Sequence, residues 1–297
     1  MNTPFQGLAV ALATPFDRDG ALDVPAFRRL VRHVALGGAD TLVVLGSTGE
    51  AAALDEGERD ELIDACLEEA GPAQVVAGTG HASTRQSCRW TSRALQLGVA
   101  GALVVVPPYV KPGPAGLRAH FAAIAEAAPG LPLIAYNVPG RTGTNLVPEV
   151  LATLWAIPSV VALKESSGNL EQIARIAAEL PPQKTLLAGD DALALPSIAC
   201  GAEGLVSVAG NVAPRHVAEL VGAARRGDRT LARECERRVR PLVAALFAES
   251  NPIPLKAALA ELGLGTDHVR LPLTIAEAGT RRRIALALAA LGEAVHA

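Results

Sequence analysis

Eight short runs of valine, leucine and alanine recur along the chain at intervals of roughly 25 to 35 residues, alternating with stretches whose apolar residues fall three or four apart. The runs are 8–12, 41–45, 74–78, 102–106, 132–136, 160–164, 185–189 and 205–208. The stretches between them, 24–36, 55–69, 83–97, 115–127, 147–156 and 170–179, read as amphipathic helices. Strands this apolar are buried on both faces, as in a parallel sheet covered by helices. Eight of them in a βα rhythm predict a closed parallel (β/α)8 TIM barrel rather than an open sheet.

From about residue 214 the strand signal stops and four helical stretches follow, 214–226, 230–248, 253–262 and 276–291. The first completes the barrel. The division predicted is a catalytic barrel over 1–226 and a C-terminal helical appendage over 227–297, punctuated by Asn251-Pro252-Ile253-Pro254 and Gly263-Leu264-Gly265. Hydrophobic residues make up 50% of the chain but aromatics only 3%, so the core must be packed from Ala, Leu and Val.

Charge and cysteine usage narrow the function. Lys and Arg number 27 against 30 Asp and Glu, a net charge of −3 without a basic block, which argues against a nucleic-acid partner. Cys66, Cys88, Cys200 and Cys235 form no CxxC pair and no metal spacing, so reduced thiols in a cytoplasmic protein without a bound metal are expected. Met1–Gly7 lacks the charged start and apolar run of a signal peptide, and no stretch has the length of a membrane helix.

Barrel enzymes work at the C-terminal ends of their strands, which directs attention to the residues after each run. The sixth run ends in Val160-Val161-Ala162-Leu163-Lys164, followed by the polar turn Glu165-Ser166-Ser167-Gly168-Asn169. Burial disfavours an ammonium, so a lysine here can offer a neutral amine to a ketone; the alternative is a side chain that snorkels to solvent or pairs with Glu165. After the second run, Gly46-Ser47-Thr48-Gly49-Glu50 gathers backbone N–H groups and two hydroxyls, fit for a carboxylate or phosphate oxygen or simply for a tight turn with a helix cap. The chain has two tyrosines, Tyr109 in Pro107-Pro108-Tyr109 and Tyr136 in Tyr136-Asn137-Val138-Pro139-Gly140-Arg141-Thr142-Gly143, and both fall at rim ends of strands. Arg141 suits bidentate recognition of a carboxylate, or is an ordinary surface arginine. Asp190 and Asp191 read as caps of the next helix.

Taken together, these segments resemble the pyruvate-dependent class I aldolases of the dihydrodipicolinate synthase and N-acetylneuraminate lyase superfamily. The likeness runs from Ala11-Leu12-Ala13-Thr14-Pro15-Phe16 to Asn251-Pro252-Ile253-Pro254-Leu255-Lys256, and is carried by Gly46-Ser47-Thr48-Gly49-Glu50, Tyr136-Asn137-Val138-Pro139 and Lys164-Glu165-Ser166. The resemblance implies that Lys164 forms a Schiff base with pyruvate without any cofactor, and that Tyr136, Ser47 and a Tyr109 reaching in from a neighbouring subunit relay protons. It implies that Thr48 holds the pyruvate carboxylate and that Val206 lines that pocket through its main chain. Arg141-Thr142-Gly143 is similar to the synthases, whose arginine is expected to hold the carboxylate of aspartate semialdehyde. The implied reaction is condensation of pyruvate with that aldehyde, towards diaminopimelate and lysine. A sugar-acid or N-acetylneuraminate aldolase is the alternative, and a non-catalytic ligand-binding barrel a further one. A Tyr109 that serves its neighbour implies a homodimer or a tetramer of two dimers.

The chain departs from the family at three places. Ser47 stands where threonine is frequent, a change that preserves the hydroxyl. Pro108-Tyr109 replaces a frequent Tyr-Tyr pair. At positions where lysine-inhibited members place polar and acidic ligands, the chain has Ala51, Glu56, Arg59, Ala82 and Gln86, which implies weak or absent lysine feedback.

Overall fold

The structure, a computed structural model, describes residues 5–292; the first four and last five residues of the two predicted units lie outside the described residues. All eight expected strands form, as β1 (Gly7–Ala11), β2 (Thr41–Val44), β3 (Gln74–Gly78), β4 (Gly101–Val105), β5 (Leu133–Asn137), β6 (Val160–Glu165), β7 (Thr185–Ala188) and β8 (Gly204–Ser207). They pair in parallel in chain order and close where β8 meets β1.

Helices follow the strands: α1 (Val24–Leu36), α2 (Glu56–Glu69), α3 (Thr84–Leu97), α4 (Pro114–Ala127), α5 (Pro139–Thr142), α6 (Pro148–Trp155), α7 (Leu170–Ala178), α8 (Ala194–Ala199) and α9 (Pro214–Arg225). Their starts are written in local chemistry. Asp23 caps α1 by accepting from Ala26 N at 2.9 Å, and Asp55 with Glu58 forms a reciprocal capping box on α2. Two short helices have no counterpart among the expected stretches. One is α8, six residues interrupted by Pro196 and too brief for a period to register. The other is α5, a single turn hidden in the Pro-Gly-Arg-Thr segment and closed by Gly143 at φ 74°, a left-handed position that favours glycine.

Helices α10 (Arg229–Leu246), α11 (Ile253–Glu261) and α12 (Ala278–Leu291) pack against one another, and α10 packs against α9. Their Leu242, Leu255 and Leu288 belong to the same apolar cluster as Leu8, Leu42 and Leu163 of the barrel wall. The barrel lumen is a separate cluster, containing Ala9, Val43, Val76, Leu103, Ile134, Tyr136, Ala162, Leu187 and Val206. Strand residues alternate between lumen and wall. Two steps beyond the lumenal Ala162 the same face carries Lys164, while Leu163 and Glu165 face the helices. Among the described residues no helix is long and apolar enough to cross a membrane, and no group of three or more His, Cys, Asp or Glu side chains is placed to hold a metal.

Candidate active site

The register of β5 on β6 sets Tyr136 beside Lys164 and Asn137 beside Glu165. Both members of the first pair are buried, and the Lys164 Nζ lies 4.2 Å from the centre of the Tyr136 ring. Lys164 therefore neither snorkels to solvent nor pairs with Glu165. The period of the strand sends those neighbours to opposite faces. Space for the lysine is kept by Gly189, where an added Cβ would lie 2.9 Å from Lys164 Cε and 2.0 Å from Ser166 Oγ. A side chain at 189 would force Ser166 or Lys164 to shift.

The loop after β2 is clamped between two residues of positive φ, Leu45 at 62° and Glu50 at 51°. Gly49 N and Ala51 N donate to Gly46 O, Glu50 N donates to Ser47 O, and the Thr14 hydroxyl donates to Gly49 O at 2.7 Å. This wiring leaves Ser47 exposed on the wall of a cleft and Thr48 buried. The cleft has a volume of about 240 Å3 and is also lined by Tyr136, Val138, Arg141, Arg59 and Trp90. Ser47, Tyr136 and Arg141 thus meet around one space, while Val206 sits within the lumenal cluster that includes Tyr136. Tyr109 does not line the cleft. It is 91% exposed, at φ 72°, on a turn tied down by donation from Tyr109 N to Thr142 O.

Several groups that hold the site were not singled out in the sequence. Asn251 donates from Nδ2 to Thr48 Oγ1 at 2.9 Å and accepts from Arg141 at its own carbonyl at 3.1 Å. Five residues on, Lys256 forms a fully buried ion pair with Glu50 at 2.7 Å, its Nζ also 4.1 Å from the Phe16 ring centre. Burial pulls the Lys256 amine down to about 8 in spite of the carboxylate beside it. The backbone N–H of Arg270 donates to the other Glu50 oxygen at 3.0 Å. A charged residue in the otherwise apolar stretch 253–260 was the available signal, because a segment buried on all sides has no reason to carry one. Asp190 caps the turn after β7 as expected, accepting from Ala192 N. Asp191 does not. Its buried carboxylate accepts from the Ser207 hydroxyl, Val208 N and Ala209 N, buckling the ends of β7 and β8 together, and desolvation raises its pKa.

Lys164, Thr48 and Val206 do not themselves line the cleft; the buried amine lies behind the Tyr136 ring that does. A closed parallel barrel with a buried amine against a phenol ring, beside a cleft that holds a hydroxyl and a guanidinium, is the build of a Schiff-base aldolase barrel. The chain belongs to the dihydrodipicolinate synthetase family, whose model matches residues 4–291. A 4-hydroxy-tetrahydrodipicolinate synthase from Methylococcus capsulatus is 45% identical over 288 residues, covering 97% of this chain and 99% of the relative. The dihydrodipicolinate synthase of Thermotoga maritima superposes with a TM-score of 0.95 at 37% identity, over 98% of this chain and 99% of the other. A structure described as the first monomeric dihydrodipicolinate synthase variant superposes equally well, at 0.95 and 37%, over 98% of both chains.

Proposed function

We propose that this protein is a 4-hydroxy-tetrahydrodipicolinate synthase, joining pyruvate to aspartate semialdehyde through a Schiff base on Lys164. The observation that carries the assignment of the nucleophile is the buried Lys164 amine held 4.2 Å from the Tyr136 ring centre at the rim of the barrel. The amine adds to the pyruvate ketone, and loss of water gives an iminium that withdraws electrons from the adjacent methyl group. Removal of a methyl proton leaves an enamine, whose carbon attacks the aldehyde while a proton is delivered to the new alkoxide. The amino group of the former aspartate semialdehyde then displaces Lys164 from the iminium carbon and closes the ring. The water released at the start is the one water of the net reaction.

Tyr136 and Ser47, both on the cleft wall, are suited to pass these protons, and the buried Thr48 with its backbone N–H to hold the pyruvate carboxylate. Arg141 has the charge and place for the carboxylate of the aldehyde, which favours the synthase over a polyol-accepting aldolase. Tyr109, presented almost fully to solvent on a constrained turn, supplies its hydroxyl to the cleft of a second subunit, and a homodimer is the smallest complete unit.

The test is pyruvate-dependent consumption of aspartate semialdehyde, coupled to the next reductase so that product appears as NADPH oxidation. Turnover that vanishes in Lys164→Ala is the expected result. Pyruvate trapped on Lys164 by borohydride without turnover of this aldehyde keeps the Schiff base and moves the substrate to a sugar-derived aldehyde.

A further inference from the structure

Behind the wall that carries Tyr136 and Lys164 lies a set of polar groups that the reaction above does not touch, buried at Asn137, Glu165 and Gln172 and reaching the surface at Asn145. The next residue on each strand, Asn137 and Glu165, faces the helix layer, and both are buried. Glu165 Oε1 accepts from Ser167 N at 2.7 Å, and Oε2 accepts from Asn137 Nδ2 at 2.9 Å and Gln172 Nε2 at 3.5 Å. Asn137 Nδ2 also donates to Asn145 Oδ1 at 2.8 Å, and Asn137 Oδ1 accepts from Leu146 N at 2.9 Å. Asn145 Nδ2 donates to Gln172 Oε1 at 2.8 Å, which closes the ring of contacts. The cluster spans the ends of β5 and β6, the turn that begins α7 and the segment between α5 and α6.

An apolar cluster of the same volume would hold a barrel wall as well, and would avoid desolvating a carboxylate. What the carboxylate adds is direction. It only accepts, so it turns each surrounding amide to present N–H towards it and leaves those amides one arrangement. Resting on the Schiff-base reading above, we propose that Glu165, with Asn137, is a positioning residue that holds the Lys164 amine and the Tyr136 phenol in working relation by fixing the ends of their two strands. Each acts through the peptide unit it shares with its reactive neighbour. Ser166 N donating to Asn137 O at 2.8 Å and Gly189 N donating to Glu165 O at 2.8 Å extend the lock to both sides of β6.

The test uses Glu165→Gln, the double variant Glu165→Gln/Asn137→Asp, and Gln172→Met, which removes one donor at the edge of the cluster. In Glu165→Gln one of the two accepting oxygens becomes an NH2, so on that side a donor faces donors. In the double variant the carboxylate moves one strand across and can again accept from Leu146 N and from the new Gln side chain. Each protein is followed by circular dichroism, by kcat and pyruvate KM, and by the rate at which borohydride traps the pyruvate adduct, read by mass spectrometry. Glu165→Gln is expected to lose about tenfold in trapping rate and kcat at temperatures where it is fully folded, with pyruvate KM within about twofold. The double variant is expected to recover most of that loss, and Gln172→Met to lose about threefold. Folded Glu165→Gln with an unchanged trapping rate and a lowered melting temperature overturns the proposal, as does a double variant no better than the single one. Should Glu165→Gln not fold, an unchanged trapping rate in Gln172→Met decides against it. Failure of the parent protein to trap pyruvate at all is a different result, and sinks the Schiff-base reading instead.

Discussion

The two tyrosines of this chain stand in opposite circumstances. Tyr136 is lumenal, paired by strand register with Lys164 and packed in a cluster of barrel side chains. Tyr109 projects into solvent from a turn whose backbone is in the left-handed region at both Tyr109 and Lys111. A protein does not ordinarily spend unfavourable dihedrals to expose an aromatic ring. Under the proposed function, the contrast separates the site into a half built within one barrel and a half offered outward.

Substitutions on the inner half should be the more costly. Tyr136→Phe keeps the ring against Lys164 and removes only the hydroxyl, so the fold should survive while kcat falls by about 10² to 10³. A loss below about tenfold in steady-state assays would mean that the phenol is not the main proton carrier.

The outer half calls for a test of ownership. Tyr109→Phe should cost about tenfold in kcat with no change in melting temperature, since the hydroxyl leaves nothing behind in its own chain. Mixing Tyr109→Phe protein with Lys164→Ala protein should then raise activity above that of either alone. A mixed dimer would hold one site with both an intact Lys164 and an intact Tyr109 from its partner. Absence of any gain after confirmed subunit exchange would assign Tyr109 to its own barrel and break the comparison.

The smallest effect concerns added lysine. On the cleft wall, the Arg59 guanidinium stacks 3.8 Å from the Trp90 ring centre, its pKa drawn down to about 10 by burial. It donates to Ala51 O and Gly78 O, while Glu56 is already engaged by Arg89 and Gln86. A fixed cation and an occupied carboxylate offer little to an incoming ammonium, so millimolar lysine should leave the initial rate essentially unchanged. Half-inhibition at submillimolar lysine would refute this.

Much of the barrel was legible in the sequence because buried parallel strands are apolar on both faces and leave unbroken runs. Lys164 stood out for the same reason, as the one cation closing such a run. Glu165 was harder: adjacency suggested a partner for Lys164, although the two-residue period of a strand already sends the two apart. Asp191 looked like a cap because it follows a strand and precedes a helix, and only the packing of β7 on β8 reveals the buried hydroxyl and amides it serves. Asn251 was read as punctuation and Lys256 as one residue of a helical stretch, because their partners lie 203 and 206 residues away, a separation that no local pattern encodes.

That separation has a consequence for the life of the chain. Translation delivers the loop 46–50 early and the residues that seal it only near the end, and the eight strands are made well before Asn251 and Lys256 leave the ribosome. Until then Glu50 has no ammonium beside it and Thr48 no amide. A chain ending near residue 226 would lack both these fasteners and the leucines that α10 to α12 add to the wall's apolar cluster, so the loop 46–50 is fixed only when the last helices are in place.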